Sequence, residues 1–211
     1  MKLRAVVADD HSIVVAGLKH ILQEIGVDVL KTVENGRDLV RATETLKPDI
    51  VILDISMPGL NGFEAARQIR LKDTKIKLLF LSMHLDSAYV REAFQVGGNG
   101  YLLKGNAAVE LETAIREVAD GRKYLSQRLL QSIGSFVVDP ALENFGSELS
   151  QRQREVLQLA AEGRAAKEIA DVLHISVKTV EYHKANIMST LGLKNNAELV
   201  AYAIRHKIIS A

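Results

Sequence analysis

The chain contains no cysteine and no long apolar run. Without cysteine it can form no disulfide, no thiolate-bound metal site and no cysteine nucleophile, which fits a reducing compartment. No stretch approaches the roughly 20 apolar residues that a membrane-spanning helix needs. The amino terminus runs directly into an apolar, strand-like segment. We therefore expect a cytoplasmic protein without a membrane partner.

The chain also lacks a large excess of charge of either sign. Of its 211 residues, 47% are hydrophobic and 25% are charged, and the net charge is +1. This composition predicts a globular protein of one or two domains rather than a disordered chain. Residues 147–211 carry nine Lys or Arg against seven Asp or Glu, a balance of +2, which leaves −1 for residues 1–146. Charge alone is thus a faint indication of nucleic-acid binding.

From residue 2 to about residue 121, short aliphatic segments alternate with amphipathic segments of helical length. The pattern predicts strands near 3–8, 27–33, 49–54, 76–81 and 99–103. Each strand-helix-strand crossover is right-handed and returns the chain in the same direction, so the strands should form a parallel sheet. We expect an α/β domain with a flavodoxin-like, doubly wound sheet of five strands. Its ligand site should lie beyond the carboxyl ends of those strands.

Polar residues follow the predicted strands at the edge where a ligand site is expected. Asp9-Asp10 follows the first strand, Asp54 ends the third, Ser82 follows the fourth and Lys104 follows the fifth. Three converging carboxylates repel one another unless a cation neutralises them, and Mg²⁺ prefers such oxygen ligands. We expect Asp54 to be the nucleophile toward a phosphoryl group, with Asp9 and Asp10 holding the metal. Ser82 and Lys104 are suitable donors to the phosphoryl oxygens.

Two other interpretations would also account for some of these residues. A single aspartate after an apolar strand is usually a turn or helix-capping residue, and Lys104 alone reads as a solvated charge. It is improbable, however, that five residues of suitable type would stand at the ends of the predicted strands by chance. A phosphatase of the haloacid-dehalogenase type also uses an aspartate nucleophile, but it would need a second acid two residues after the nucleophile. This chain has Ser56 at that position.

At these residues, residues 2–121 resemble the receiver domains of two-component response regulators. The matching motifs are Asp9-Asp10, Asp54 with Met57-Pro58-Gly59 and Gly62, Ser82, and Gly100-Tyr101-Leu102-Leu103-Lys104. The resemblance implies that a sensor histidine kinase phosphorylates Asp54 and that Asp9 or Asp10 binds Mg²⁺. It further implies that Ser82 and Lys104 contact the phosphoryl group and that Tyr101 is a rotameric switch.

One position departs from the receiver pattern, and two others add hypotheses. Gly105 stands where many receivers carry proline after the lysine. Ser56 lies two residues beyond Asp54 and His84 two beyond Ser82, where receivers tune dephosphorylation. We hypothesise that both border the phosphoryl group. Independently of these two residues, we expect the protein to accept a phosphoryl group on Asp54 and to lose it by self-dephosphorylation. It would not be a turnover enzyme.

Around residue 122 the alternation stops. Residues 122–147 contain Gly134, Ser135, Pro140 and Gly146, and we interpret them as a linker with room for a short helix over Gln127–Phe136. Every segment after Ser147 has a helical pattern. Four helices are predicted, over 151–162, 165–173, 177–191 and 196–206. The domains are therefore expected at 1–121 and 148–211, the second being all-α.

The third predicted helix of the second domain has two distinct faces. Ser176 is a suitable N-cap for it. The face with Val180, His183, Ile187 and Leu191 is predicted to pack on the preceding helices, while Lys178, Tyr182, Ala185 and Ser189 lie opposite. A small bundle that binds protein is the plain interpretation. The lengths of 165–173, His174-Ile175-Ser176 and the helix after it instead favour a helix-turn-helix unit.

Residues 147–209 closely resemble the LuxR-type DNA-binding module that is joined to receivers in the NarL/FixJ subfamily. The matching residues are Leu149-Ser150, Arg152, Glu155-Val156-Leu157, Gly163, Lys167-Glu168-Ile169-Ala170, Ile175-Ser176, Lys178-Thr179-Val180-Glu181, His183, Asn186-Ile187-Met188 and Leu191-Gly192. Gln153, Ala166 and Thr190 depart from the usual glutamate, asparagine and basic residue.

The LuxR resemblance implies contacts to double-stranded DNA. By position, Lys178, Glu181, Tyr182 and Ala185 are expected to contact base edges, and Thr179 and Lys184 to contact phosphates. A homodimer on a palindromic site would combine two weakly charged modules. The expected dimer contact is the side of the last helix that carries Ala197, Val200, Ala201 and Ile204.

Together these features predict a two-component transcription regulator in which phosphorylation of Asp54 controls DNA binding. The alternative within the same family is an atypical regulator that binds DNA constitutively and uses its receiver only to dock other proteins. The complete acidic cluster disfavours that alternative.

Overall fold

The computed structural model describes residues 2–133, 149–206 and 208–209, which belong to two compact units, residues 1–138 and 139–211. In the first unit, a six-stranded parallel sheet has the order β2-β1-β3-β4-β5-β6. Its strands are β1 Arg4–Ala8, β2 Asp28–Val33, β3 Ile50–Asp54, β4 Lys77–Ser82, β5 Gly100–Leu103 and β6 Tyr124–Leu125. Its helices are α1 Ser12–Glu24, α2 Gly36–Leu46, α3 Gly62–Lys72, α4 Ser87–Gln95, α5 Ala107–Ala119 and α6 Gln127–Ile133.

The sheet is covered by helices on both faces. Successive strand side chains point to opposite faces, so every central strand contributes to two apolar cores. Ile50 and Ile52 pack with Leu18 of α1 and Leu111 of α5. The other core holds Val51 and Leu53 with side chains from α2, α3 and α4. This is the doubly wound arrangement that the alternation predicts, and it brings the carboxyl ends of all the strands to one edge.

The sixth strand corrects the prediction of five strands. Tyr124 and Leu125 pair in parallel with Gly100 and Tyr101 of β5, although the sequence analysis placed them in a linker. A strand of two residues is too short to show a periodic pattern, because alternation needs at least four residues. Leu129 of α6 is fully buried, so the packed unit continues beyond residue 121. Residues 134–147 of the predicted linker, including Gly134–Phe136 of its predicted helix, lie outside the described residues.

A buried carboxylate fastens β6 to the first unit. Glu110 of α5 is 8% exposed and accepts hydrogen bonds from Asn106 Nδ2 at 2.6 Å, Tyr124 OH at 2.9 Å and Ser126 Oγ at 2.6 Å. Burial alone would raise the pKa of Glu110, but these donors outweigh it and lower the pKa below its ordinary value. The Ser126 amide also donates to the Tyr101 carbonyl at 3.0 Å. The segment after β6 is therefore bonded to both α5 and β5.

The second unit is helical in the residues described. Its helices are α7 Gln151–Ala161, α8 Ala166–Leu173, α9 Val177–Thr190 and α10 Asn196–Arg205. Each lies within about two residues of its prediction, as is usual for helix ends. Val156, Ile169, Val180, Ile187 and Leu199 form the centre of its core. No described helix in either unit is long and apolar enough to cross a bilayer.

Side chains define where the helices of the second unit begin and end. Ser150 and Gln153 form a capping box at α7, in which the Ser150 amide donates to Gln153 Oε1 at 2.7 Å. Gln153, the departure from glutamate, thus makes the capping hydrogen bond itself. Arg152 donates to the Leu173 carbonyl at 2.7 Å and caps the end of α8. His174 follows with φ +52°, a left-handed residue that turns the chain sharply into α9.

Candidate functional site

A buried ion cluster lies at the carboxyl edge of the sheet. Asp9 directly follows β1 and Asp54 ends β3, and they are only 1% and 3% exposed. Lys104 begins the 3₁₀ turn after β5. Its Nζ lies 2.8 Å from Asp9 Oδ2 and 2.9 Å from Asp54 Oδ2. The structure thus brings three of the predicted site residues into direct contact, although 45 positions separate Asp9 from Asp54 and 50 separate Asp54 from Lys104 in the sequence.

The loop after β3 allows a close approach that only glycine permits. The Ile55 amide donates to Asp54 Oδ1 at 2.8 Å, and the Gly62 amide donates to the Ile55 carbonyl at 2.9 Å. A Cβ on Gly62 would lie 2.2 Å from the Asp54 carbonyl oxygen. Gly59 has φ +73°, in the left-handed region that favours glycine. These two glycines let α3 begin directly against the end of β3.

Burial and the charge of the partner shift the pKa values of Asp54 and Lys104 in opposite directions. Burial raises the pKa of Asp54 above its ordinary value; Lys104 lowers it and the nearby Asp9 carboxylate raises it, and the net effect is a rise. Burial would lower the pKa of Lys104, but its bonds to Asp9 and Asp54 outweigh that and raise it. Burial and the neighbouring Asp9 carboxylate thus outweigh the stabilisation that Lys104 gives to the charged form of Asp54.

His11 belongs to the same cluster, and the sequence analysis missed it. Its Nδ1 lies 2.9 Å from Asp10 Oδ1 and 3.1 Å from Asp9 Oδ1. Its backbone amide donates to Asp9 Oδ1 at 2.9 Å. The only sequence signal was its place next to the acidic pair. Asp10 itself is partly exposed, with 34% of its side chain accessible.

The donor set suits a divalent cation. One ligand atom from each of Asp9, Asp10, His11 and Asp54 falls within 4.8 Å of the others. The three carboxylates carry three negative charges against the single positive charge of Lys104, so a divalent ion would balance the cluster. Mg²⁺ is commonly held by one or two carboxylates, with water or phosphate oxygens completing its octahedron. The residues therefore fit the expected metal.

Ser82 and Tyr101 form a second set of contacts beside the pocket. Ser82 ends β4, is 1% exposed, and its Oγ accepts the His84 amide at 3.1 Å. The Tyr101 ring is fully buried and its hydroxyl donates to the His84 carbonyl at 3.0 Å. Burial raises the pKa of Tyr101, which keeps the hydroxyl protonated as a donor. The Tyr101 side chain is thus buried in the unit and bonded to the loop that follows Ser82.

His84 and Ser56 are the two residues predicted to influence the rate of dephosphorylation. The His84 ring stacks on Tyr89 with centroids 4.0 Å apart and planes at 5°. Its contacts to Ser82 and Tyr101 are made by the backbone. Ser56 is half-buried in the loop after β3. The hypothesis that both side chains border a phosphoryl group remains a prediction.

Helix α9 exposes the face that was expected to meet DNA. Its N-cap is Ser176, whose Oγ accepts the Thr179 amide at 3.1 Å. Val180 and Ile187 are fully buried, whereas Lys178, Glu181, Tyr182 and Ala185 are exposed, Tyr182 by 64%. The division of α9 into a packed and a free face is therefore confirmed. His183 and Lys184 are half-buried at its border.

Thr179, expected at a phosphate, already has a partner within the protein. Its Oγ1 lies 2.8 Å from Ser176 Oγ at the start of α9. The hydroxyl pair stays at the helix N-terminus, where the positive end of the helix dipole and free amides favour an anion. A phosphate oxygen at this end would meet both hydroxyls rather than Thr179 alone.

Family models match both units. Residues 5–116 match the response regulator receiver domain, and residues 147–203 match the LuxR family of bacterial regulatory proteins. The chain belongs to the response regulators. The combination of a receiver with a LuxR-type domain places it in the NarL/FixJ subfamily. This membership also decides between a receiver and a haloacid-dehalogenase-like phosphatase, in favour of the receiver.

Relatives match this response regulator along nearly its whole length. The response regulator UvrY of Escherichia coli strain K12 is 32% identical over 99% of this chain and 97% of its own. The oxygen regulatory protein NreC of Staphylococcus aureus strain JH9 is 36% identical over 98% of this chain and 99% of its own. Both units are therefore shared, and not the receiver alone.

Solved structures of RcsB show the same two-domain response regulator. An RcsB structure from Salmonella typhimurium aligns with a TM-score of 0.60 at 27% identity, covering 95% of this chain and 97% of RcsB. A structure of two RcsB dimers bound to two parallel DNAs aligns with a TM-score of 0.61 at 27% identity, covering 96% and 98%. The α/β fold followed by a helix-turn-helix domain is thereby confirmed.

Proposed function

We propose that phosphorylation of Asp54 by a sensor histidine kinase controls the binding of α9 to promoter DNA in the cytoplasm. The observation that carries this proposal is the buried cluster of Asp9, Asp54 and Lys104, because it places a nucleophilic carboxylate beside an ammonium that can bind phosphoryl oxygens and beside an acid that can hold a cation. The family relationship supports the same reaction. A DNA partner supports the cytoplasmic location.

The transfer step follows from the positions of Asp54 and Lys104. A carboxylate oxygen of Asp54 attacks the phosphorus of the kinase phosphohistidine, a P–O bond forms, and the P–N bond breaks with its electron pair returning to the imidazole. Lys104 Nζ, now 2.9 Å from Asp54 Oδ2, then bonds to the phosphoryl oxygens instead. The protein keeps the group until hydrolysis and does not act as a turnover enzyme.

Asp9, Asp10 and Asp54 would hold Mg²⁺, with the partly exposed Asp10 forming the solvent side of the site. When bound, Mg²⁺ offsets the charge that develops on the transferred phosphoryl oxygens. Asp9 keeps a bond to Lys104 through Oδ2 and has Oδ1 on the side of Asp10. Its two oxygens can therefore serve the lysine and a cation at once.

Ser82 and Tyr101 would report the modification to the surface. The phosphoryl group adds about two negative charges and new acceptor oxygens. Ser82 then turns its hydroxyl toward that group, which changes the loop whose His84 carbonyl accepts the Tyr101 hydroxyl. Only a difference in phosphoryl binding between two receiver conformations can shift their populations. In the conformation that phosphorylation favours, we expect the Tyr101 side chain to point inward, as it does here.

DNA contact would come from a homodimer. Lys178, Glu181, Tyr182 and Ala185 form the exposed face of α9 proposed to contact base edges, and Thr179 and Lys184 flank it toward phosphates. In the proposed dimer contact on α10, Ala197, Ala201 and Ile204 are exposed and Val200 is half-buried. RcsB binds DNA as dimers, which supports the same assembly here.

Phosphate incorporation tests the proposal. The full chain is incubated with acetyl phosphate and Mg²⁺, and intact mass and DNA affinity are measured on the same samples. We expect one phosphoryl group per chain together with a rise in DNA affinity or dimer fraction. Asp54→Ala should abolish both changes, and Asp28→Asn, an exposed aspartate of β2, should leave them intact. DNA affinity that is equally high without phosphate would establish the constitutive regulator instead.

A further inference from the structure

His11 holds an unusual place at the start of α1. It is the N-cap residue, a position where Ser, Thr, Asp or Asn normally caps the helix, yet its side chain makes no capping hydrogen bond. The imidazole Nδ1 instead lies 2.9 Å from Asp10 Oδ1 and 3.1 Å from Asp9 Oδ1. The bond from its own amide to Asp9 Oδ1 fixes the backbone beneath the ring.

Lys104 and the His11 ring contact different oxygens of the carboxylates. Lys104 takes Oδ2 of Asp9 and Oδ2 of Asp54. His11 takes Oδ1 of Asp9 and Oδ1 of Asp10. A metal ion that enters between Asp9 and Asp10 therefore arrives at the oxygens that the imidazole now contacts. Because these ligand atoms all lie within 4.8 Å of one another, the nitrogen could join the same ion.

The chemistry of the ring then depends on which ion enters. Mg²⁺ prefers oxygen ligands and retains its water, so it has little use for an imidazole. Mn²⁺ also binds well to carboxylates, but Mn²⁺ and Co²⁺ accept an imidazole nitrogen more readily than Mg²⁺ does, and affinity for such a site rises from Mn²⁺ to Co²⁺. The same pocket therefore offers an oxygen-only set to one class of ion and a mixed oxygen and nitrogen set to the other.

We propose that His11 is the metal-specificity residue of this pocket, because its Nδ1 joins the coordination of transition-metal ions and stays outside that of Mg²⁺. The inference rests on the proposed metal site and adds a discrimination between ions to it. Binding of Mn²⁺ or Co²⁺ replaces the contact between His11 and the two carboxylates with a contact to the ion. Toward Mg²⁺ the ring would stay uncoordinated, on a side chain that is 63% exposed.

Pulsed electron paramagnetic resonance of bound Mn²⁺ tests this directly on the full chain. We expect electron spin echo modulation from a directly bound imidazole nitrogen in the wild type, and a changed modulation pattern when histidine is labelled with ¹⁵N. His11→Ala should still bind Mn²⁺ but lose the modulation. His20→Ala is the matched control, because His20 is an exposed imidazole of α1 that pairs with exposed Glu24.

Binding titrations add a second readout. Loss of an outer-shell partner of a metal ligand typically lowers affinity by about 10–100-fold, so loss of a direct ligand should cost at least about tenfold. We expect His11→Ala to lose about that factor toward Mn²⁺ and Co²⁺ and to keep its Mg²⁺ affinity. The wild-type ¹⁵N measurement needs no variant, so a failure of His11→Ala to fold would not remove the test.

The outcomes separate this inference from the proposed function. Mn²⁺ bound without nitrogen coupling in the wild type overturns the role of His11 and leaves the metal site standing. Coupling that persists in His11→Ala overturns it as well, because another histidine would then be the ligand. A wild-type chain that binds neither Mg²⁺ nor Mn²⁺ overturns the metal site itself and the inference with it.

Discussion

Replacing Lys104 with methionine isolates the charge balance of the pocket. Methionine keeps most of the buried stem but removes the ammonium that touches both Asp9 and Asp54 at 2.8 and 2.9 Å. Two nearly inaccessible carboxylates then face each other without a compensating cation. Breaking one side of a buried ion pair costs about 3–5 kcal/mol. We expect the first unit of Lys104→Met to lose stability of that order at neutral pH in EDTA.

The pH dependence gives the sign of the effect. In the wild type the raised pKa of Lys104 contributes stability below its unfolded pKa, and that stability is lost as the pH rises through the folded pKa. The raised pKa of Asp54 acts the other way, because stability rises as the pH falls through its folded value. Lys104→Met removes the interaction that lowers the Asp54 pKa. The destabilisation should therefore shrink under mildly acidic conditions, where Asp54 takes up a proton.

Hydrogen exchange of the β3 and β4 amides measures the loss, because core strands report the opening of the whole unit. Lys72→Met is the control: Lys72 pairs with Glu44 on the surface, and such pairs contribute about 0–1 kcal/mol. Mg²⁺ at about 100 times its Kd should restore about 2.7 kcal/mol. Equal protection of Lys104→Met and Lys72→Met in EDTA would show that the ammonium does not balance the acids.

Three further substitutions have expected outcomes. Glu110→Ala removes an acceptor of two buried hydroxyls, each of which costs about 1–3 kcal/mol when unpaired, and urea unfolding should show a loss of about 2–6 kcal/mol. Because the pKa of Glu110 is lowered, this contribution disappears in the wild type as the pH falls through the folded value. Arg152→Ala uncaps Leu173 at the end of α8 and should lower the stability of the second unit by about 1–3 kcal/mol in thermal unfolding. In DNA titrations, Lys178→Ala should weaken binding to the cognate site by about 1–3 kcal/mol and relax sequence specificity. Lys184→Ala should weaken binding to all sequences alike and reduce the slope of log K against log salt concentration by about 1. If the two variants showed the reverse effects, Lys184 would contact the bases and Lys178 the phosphates.

Much of the fold can be predicted from the sequence, because short local patterns of residues define its strands and helix starts. Alternating apolar segments define the five main strands, and Asn35 and Asn61 cap the helices that follow them, each accepting an amide at 2.9 Å. Residue types at strand ends were enough to predict that Asp9, Asp54 and Lys104 converge. Parallel strands leave no other edge for them.

Other features depend on tertiary contacts that no local pattern encodes. The pairing of Tyr124 with Gly100 appears only when β5 is already in place. The choice of Asp9 Oδ1 by His11 and Oδ2 by Lys104 depends on side-chain rotamers. The bond from the Tyr101 hydroxyl to the His84 carbonyl joins residues 17 positions apart through the packing of β4 on β5.

The short strand β6 also determines where this receiver can be cut. A fragment ending at residue 121 would leave one side of β5 as an unprotected edge, with open amides and carbonyls available to neighbouring molecules. Glu110 would also lose the hydrogen bonds that the Tyr124 and Ser126 hydroxyls donate to it. A soluble, monodisperse receiver fragment should therefore retain the chain through Ile133, and shorter ones should aggregate.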